Sequence, residues 1–438
     1  MRLSKLFTKT LREAPADEVA INAQYLTRGG FVFKNSAGVY SYLPLGWRVL
    51  TKITNIIREE MNAIGGQELF MPGLVEKKYM EPTNRWNLDV GYFAKAKNEE
   101  EASFVLGWSH EEVLTAMAAN FISSYKDLPF FAYQIQTKYR HEARAKSGLL
   151  RGREFMMKDF YSFHIDEDDL NKYYEEMKNA YFKVFERCGL KTVYTLAAGG
   201  VFTDKFTHEF QVLSDVGEDT ICVCEKCDYA ENSEISKLKE GDKCLKCDGI
   251  VRQKKSIEVG NIFNNGTKYS EALGLYFTDD AGDKKPVVMG AYGIGLGRVM
   301  ATVVEIHYDD KGIIWPESVA PFKIHLIEIT GKENKEKVKK ITEKIYHDLM
   351  NAKIEVLYDD REDKTPGEKF ADADLIGCPM RVVVSKKTLE KDSVEVKKRA
   401  AVEKSLALLA KRTAERLTNQ VPAAEQISIS LIEQDQDA

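Results

Sequence analysis

Apolar positions recur every three or four residues between Arg48 and Ile64, where Val49, Ile53, Ile56, Ile57 and Ile64 share one face. This spacing predicts an amphipathic helix. Gly65-Gly66 ends it, and a short strand, Gln67 to Met71, is expected to run into Pro72. From Phe130 to His164 the pattern alternates in a strand-like way, broken by the polar, glycine-containing segment His141 to Gly152. Two antiparallel strands joined by a long loop follow from it. The acidic run Asp166-Glu-Asp-Asp introduces a helix expected from Asp168 to Cys188. Tyr276-Phe-Thr and Val287-Val-Met read as further strands, and a glycine-rich turn leads into an apolar helix, Val299 to His307.

Trp315-Pro316 through Ala320-Pro321 reads as a linker, beyond which the pattern alternates regularly. Strands are predicted at Lys323–Ile329, Ile354–Leu357 and Met380–Ser385, separated by helices at Glu333–Met350 and Gly367–Ile376. That order suggests a separate α/β domain with a largely parallel sheet. The segment Cys222 to Arg252 differs from its surroundings. It is polar and short of large apolar residues, and reads as a small insertion. The last stretch, from Val421, is polar and expected to fray.

Composition adds limits. Apolar residues make up 44% and charged residues 30% of 438, the balance of a folded soluble protein, and no apolar run approaches membrane-spanning length. No secretory signal is apparent, so a cytoplasmic protein with no membrane partner is expected. The net charge of −5 argues against nonspecific coating of nucleic acid, without excluding an RNA partner that meets a local cluster of Lys and Arg. Of seven cysteines, four form two CxxC pairs, Cys224/Cys227 and Cys244/Cys247, sixteen residues apart. This is the spacing of a four-cysteine zinc ribbon, with four free thiols on a loop as the alternative. Cys188, Cys222 and Cys378 are expected as buried thiols.

Two places carry candidate chemistry. Tyr139-Arg140-His141-Glu142, a loop, and Arg151-Gly-Arg-Glu-Phe155 place arginines, a carboxylate and an aromatic on adjacent strands. Arginine forks can clamp a phosphate where charge builds, a carboxylate can accept from an adenine amino group, and a ring can stack on the base. Ordinary ion pairs on a surface hairpin are the alternative. Gly290-Ala-Tyr-Gly293-Ile-Gly295-Leu-Gly297-Arg298 runs straight into a helix, which lets backbone pass close to a nucleotide and brings Arg298 to a terminal phosphate. Its spacing matches neither a P-loop nor GxGxxG.

Together with the helix–strand–Pro72 unit, these segments resemble the three signature motifs of class II aminoacyl-tRNA synthetases. In detail they are similar to prolyl-tRNA synthetases of the bacterial type. Ser36-Ala-Gly-Val-Tyr-Ser-Tyr-Leu-Pro-Leu-Gly46, Arg153-Glu-Phe-Met-Met-Lys-Asp159, His208-Glu-Phe-Gln-Val-Leu213, Gly266-Thr-Lys-Tyr-Ser270 and Lys369-Phe-Ala-Asp-Ala-Asp-Leu-Ile-Gly377 carry that likeness, over roughly Met1 to Leu408.

The resemblance implies an α+β protein: an antiparallel-sheet catalytic domain, plus a C-terminal α/β anticodon-binding domain. The catalytic domain is expected over 1–221 and 253–318, split by the insertion at 222–252. The anticodon-binding domain is expected over 319–415, with a tail at 416–438. The implied activity is ATP-dependent activation of proline and its transfer to tRNA(Pro) by a homodimer, with Pro72 at the interface and Mg2+ bridging phosphates. Arg140 and Arg298 are the implied catalytic pair, and Glu142, Arg151, Phe155, Gly293, Gly295 and Gly297 join them on ATP. Ser109, Glu111, Arg140, His208, Asn261 and Phe263 are implied for the amino acid, and Arg361 and Lys369 for the anticodon.

This chain departs from the family pattern at Gly107-Trp-Ser-His-Glu-Glu112, where Trp108 stands for a proline and Ser109 for a threonine. It departs again at Gly260-Asn261-Ile-Phe263, where Asn261 stands for a histidine, and Thr203 to Thr207 is unusual as well. These departures keep open a related synthetase for another amino acid, or a non-charging protein that binds tRNA or nucleotide. Only about thirty residues fill the place where related enzymes carry an editing domain. A structural zinc knuckle is expected there, and mischarged alanyl-tRNA is expected to escape clearance.

Overall fold

The computed structural model describes residues 1–399 except 16, 17, 144, 146, 201 and 332. The expected tail at 416–438, and the end of the anticodon-binding domain beyond 399, lie outside the described residues.

The predicted first long helix spans Pro44–Ala63 (α1). Leu43 is extended and Pro44 sits in the first turn, where a missing N–H costs nothing, and Gly65 at φ +82° turns the chain away. The strand expected as far as Met71 pairs only at Gln67–Glu68 (β1), because Met71 N–H donates to the Gln134 side chain instead of a neighbouring strand. The alternating segment forms Phe130–Tyr139 (β2) and Glu154–His164 (β3), paired antiparallel in register. Glu111–Ala118 is α2, and Glu167–Arg187 is α3, capped by the Asp166 carboxylate on Asp169 N–H.

Val193–Ala198 (β4), Phe206–Leu213 (β5), Asp219–Cys224 (β6), Ala230–Asn232 (β7), Val251–Gly266 (β8) and Val288–Gly295 (β9) complete one sheet. Among the described residues its order is β5-β4-β7-β6-β8-β9-β3-β2-β1. It is antiparallel except where β1 meets β2 and where β7 meets β4. The segment after Cys222 is therefore no detached insertion, since two of its strands lie inside the sheet. On one face, α1, α3 and Leu296–Ile306 (α4) bury Ile53, Ile57, Met177, Tyr181, Phe160, Phe210, Ile262 and Tyr292. The other face is covered near β2 and β3 by α2, through Leu114, Tyr161, Phe163 and Met289.

Beyond it, Ile324–Ile329 (β10), Lys335–Asn351 (α5), Val356–Asp359 (β11), Pro366–Ile376 (α6) and Met380–Ser385 (β12) follow the predicted alternation, and Glu395–Lys398 (β13) adds a strand the pattern did not predict. The sheet order is β11-β10-β12-β13, parallel except for β13. The expected linker is instead core. Val319 and Ala320 are buried, Trp315 packs on Phe31, and its indole N–H donates to the Ile376 carbonyl. Its large apolar residues complete a core shared by both sheets, which proline-rich composition alone could not reveal.

Candidate functional site

Strand alternation assembles the site. Side chains two apart share a face, and the register pairs Gly295 with Met157, Gly293 with Asp159 and with Asn261, and Asn261 with Glu209. Phe155, Met157, Gly293, Gly295, Asn261, Phe263 and Glu209 therefore line the face left open beside α2. Arg140 follows β2 onto the same face. Its Nε donates to the Trp108 carbonyl at 3.3 Å, its Nη2 meets the Met157 sulfur at 3.8 Å, and its guanidinium lies 5.3 Å from the Phe155 ring centroid. Burial first, and the nearby Arg298 charge second, pull Arg140 below the usual arginine range. The charges of Glu258, Glu111 and Glu142 act on Arg140 in the opposite direction.

Arg298 is fixed in the first turn of α4. It donates to the Leu150 carbonyl at 2.9 Å and to the Glu258 carboxylate at 2.8 Å. Arg151 bridges Glu142 at 2.8 Å and Glu218 at 2.6 Å. At Gly293 a Cβ would meet the Met157 side chain at 2.4 Å, and at Gly297 the Tyr42 hydroxyl at 2.5 Å, so both positions need the missing side chain. The Ser36–Gly46 stretch supports the hairpin, with Gly38 accepting the Arg153 N–H at 2.7 Å.

The second half of the site surrounds Glu111. Ser109 donates to its carboxylate, and His110 anchors the loop, reaching the Pro72 carbonyl at 2.9 Å and the Lys138 amine at 2.7 Å. Two residues absent from the sequence reading complete it. Arg85, 2% exposed, donates to Glu111 at 3.1 Å, to Glu112 at 2.9 Å and to the Tyr269 hydroxyl. Phe202 packs against Phe263 and Trp108 and also faces the Arg85 guanidinium. A lone arginine some 25 positions upstream offered no motif, and only the fold brings it to Glu111. Trp108 is turned into a small cluster with Val75, Met80 and Val105. Asn261 accepts from the Thr207 hydroxyl at 2.8 Å.

His208, expected beside the amino acid, points the other way. Its ring stacks on Tyr194, it meets the Tyr174 hydroxyl at 3.0 Å, and burial pushes it down to about 4. Strand parity is the reason, since His208 and Glu209 must face opposite sides. Arg361 and Lys369, expected to meet an unstacked base, are turned inward. Arg361 pairs with Asp359 at 2.7 Å and Asp372 at 2.9 Å, and Lys369 donates to the Glu328 and Asp359 carbonyls.

Cys224, Cys227, Cys244 and Cys247 converge, with all four sulfurs within 4.8 Å of one another. Cys224 and Cys247 are 3.5 Å apart and Cys227 and Cys244 3.6 Å, too far for disulfides and close to the ~3.8 Å edge of a zinc–thiolate tetrahedron. Backbone N–H groups of Lys226, Lys246 and Gly249 donate to three of these sulfurs, as suits thiolates. Cys188, Cys222 and Cys378 are buried free thiols, as expected. For a hard dication, Glu209 and Glu258 offer oxygen donors beside Arg298; burial, then the Glu258 charge, pushes the Glu209 carboxyl upward.

Known proteins align with this arrangement. The tRNA synthetase class II core domain (G, H, P, S and T) matches residues 92–307, and an anticodon binding domain matches 319–420. The proline--tRNA ligase of Moorella thermoacetica is 34% identical over 92% of this chain and 96% of its own length, and that of Geobacillus kaustophilus is 34% identical over 91% and 96%. The Moorella alignment runs over 553 positions against 438 residues here, so that relative carries more than a hundred residues this chain lacks. A prolyl-tRNA synthetase from Cryptosporidium parvum, solved with L-proline and AMP, superposes with a TM-score of 0.73 at 18% identity, over 94% of this chain and 78% of that one. A third of all positions identical over nine-tenths of its length, on a matching class II core, the chain belongs to the proline--tRNA ligase family.

Proposed function

We propose that this chain joins proline to ATP, releasing pyrophosphate, and passes the prolyl group from the adenylate to the terminal ribose of tRNA(Pro). The observation that carries this reading is the shared cleft of Arg140 and Arg298, with Glu111 at its inner end. The proline carboxylate attacks the α-phosphate beside Arg140, which neutralises the charge that builds there. Arg298 takes the far phosphates, Phe155 stacks on adenine, and Glu142, with Arg151 beside it, accepts from the adenine amino group. Glu111 holds the substrate ammonium, and Ser109, Asn261 and Phe263 bound the ring.

Most of the rate comes from positioning, since these groups form no covalent bond to the substrate. Mg2+, when bound by Glu209 and Glu258, would offset phosphate charge. The four thiolates take a structural Zn2+.

Trp108 is compatible with proline as the substrate, because its indole lies on Arg85, with Phe202 packed against both it and Phe263. In the domain of β10 to β13, Arg361 and Lys369 shape the anticodon platform from within. Exposed Phe70 and Leu74, on either side of Pro72 in the chain, supply apolar surface for a homodimer in the cytoplasm. Among the described residues no helix is long and apolar enough to cross a membrane.

The test is ATP–pyrophosphate exchange measured with each of the twenty amino acids. Exchange with proline alone is expected. Exchange with a different amino acid would move the substrate, and silence with all twenty would leave a non-charging protein.

A further inference from the structure

The four-cysteine knuckle stands at the far end of three strands whose other ends carry partners of Arg151, Glu209 and Arg298. β6 ends in Cys224, and Glu218, just before its start, accepts the Arg151 guanidinium at 2.6 Å. The turn through Cys227 leads into β7, whose Asn232 donates to the Glu209 carboxylate at 3.3 Å. Gln211 then ties Glu209, at 2.8 Å, to Asp219 of β6, at 3.0 Å. Four residues after Cys247, β8 begins at Val251 opposite Cys224 and runs on to Glu258, which holds Arg298. Two exits from the knuckle therefore end on carboxylates that hold Arg151 and Arg298, and the third ends on Asn232, which holds Glu209.

Ladder bonds from β6 to β7 and β8 hold the strands in register as far as Cys224, but the two CxxC turns beyond them have thinner support. The buried cluster there is Cys222, Tyr229, Cys244 and Val251, too few apolar side chains to fix both turns by packing alone. Surface ion pairs join the knuckle's halves, Lys226 to Asp248 at 3.0 Å and Lys246 to Asp228 at 3.5 Å, beside Arg252 to Glu225 at 2.7 Å and to Glu240 at 3.0 Å, and such exposed pairs contribute little in water. A tetrahedral metal at the four sulfurs would close both CxxC turns together, and its binding free energy would become folding free energy for the strand ends.

We infer that zinc in this knuckle is a positioning device for ATP: its occupancy sets Glu218, Asn232 and Glu258, and through them Arg151, Glu209 and Arg298. The inference rests on the four-thiolate zinc site and on ATP lying between these arginines. Proline should depend on it far less, because Arg85, Glu111 and Ser109 reach the pocket from other elements and Phe263 lies near the end of β8 remote from the knuckle.

The experiment compares the full chain with and without zinc, and an Asn232→Ala variant that keeps every ligand. Zinc per chain is counted by native mass spectrometry, ATP affinity is measured by calorimetry, and KM for ATP and for proline come from the exchange reaction. One zinc per chain is expected. Zinc removal should weaken ATP binding about tenfold, in line with other supporting contacts around a site, with KM for proline changed less than about twofold. Zinc added back should restore it. Asn232→Ala should retain its zinc and still weaken ATP several-fold.

A metal-free chain as isolated, still free after incubation with zinc, overturns the site. Zinc that can be removed, or Asn232 replaced, without a change in ATP affinity overturns the coupling. A parallel rise in both KM values overturns positioning in favour of a general loss of structure. Exchange that is silent even with zinc bound strikes the ligase reading instead, while the calorimetric ATP affinity still judges the coupling.

Discussion

The Arg85 guanidinium lies 4.1 Å from the centroid of the Trp108 ring, with Glu111 and Glu112 within 3.1 Å of one of its nitrogens. One buried cation thus serves two adjacent carboxylates and is capped by the indole at the position where relatives were expected to carry proline. The tryptophan is a lid on a charge cluster, its bulk packed with Val75, Met80 and Val105.

Replacing Arg85 should therefore damage proline binding more than ATP binding. Arg85→Gln leaves two buried carboxylates facing each other, a loss of about 3–5 kcal/mol when one partner of a buried pair is removed. Arg85→Lys keeps the charge but loses the planar fork, and is expected to raise KM for proline roughly tenfold or more with KM for ATP little changed. Steady-state exchange with each substrate varied checks this. Equal changes in both constants would remove Arg85 from the pocket's support.

Arg140 and Arg298 should fail in different ways. Arg140→Lys retains charge near the α-phosphate but loses the fork held by the Trp108 carbonyl, and is expected to lower kcat of exchange about 10²-fold. Arg298→Ala should act mainly through ATP, raising its KM. Single-turnover formation of the adenylate, followed at several ATP concentrations, separates the two. An Arg298→Ala protein with wild-type ATP dependence would contradict the assignment.

His325 gives a pH dependence of stability. Burial pushes its imidazole down to about 4 from 6.5, and neither ring nitrogen has a hydrogen-bonding partner among the described residues. The folded state therefore resists a proton that the unfolded chain accepts. This costs nothing above pH 6.5, and stability is lost progressively as pH falls from 6.5 to 4, by roughly 3 kcal/mol in all. His325→Phe should flatten that slope and be neutral or stabilising at pH 7, since it removes orphaned polar atoms. Thermal melts of both proteins between pH 4 and 7.5 measure it. Parallel slopes would mean the histidine is solvated.

Alanine is the other exposure of this chain. The pocket walls discriminate a smaller apolar amino acid by only ~10–200-fold, and the relatives carry more than a hundred residues that are missing here. Alanyl-tRNA(Pro) incubated with the purified protein should decay no faster than in buffer. Rapid deacylation would place an editing function within the 438 residues.

Local pattern was enough for the hairpin of β2 and β3, for α1 and α3, and for every element of the C-terminal alternation, because each is dictated by periodicity and caps close in sequence. It failed where a neighbour distant in sequence decides. Met71 turns to Gln134 and not to a strand, and Trp315 to Ala320 are drawn into a core built by Phe31 and Ile376. His208 is an intermediate case: parity along β5 separates it from Glu209, but which side faces the cleft depends on α3 packing against Tyr194 and Phe210.

Residue types and their order determined by themselves that this chain carries arginines, a glycine-rich turn and four paired cysteines suited to ATP and metal, since those chemistries need particular atoms at short spacings. Only the tertiary structure decided that Arg85 serves Glu111, that Arg361 is spent on Asp359 and Asp372, and that the knuckle is stitched into the catalytic sheet. The reason is physical: a buried charge takes the nearest partner that desolvation leaves it, and nearness across 26 or 148 residues is created by packing and not by sequence spacing.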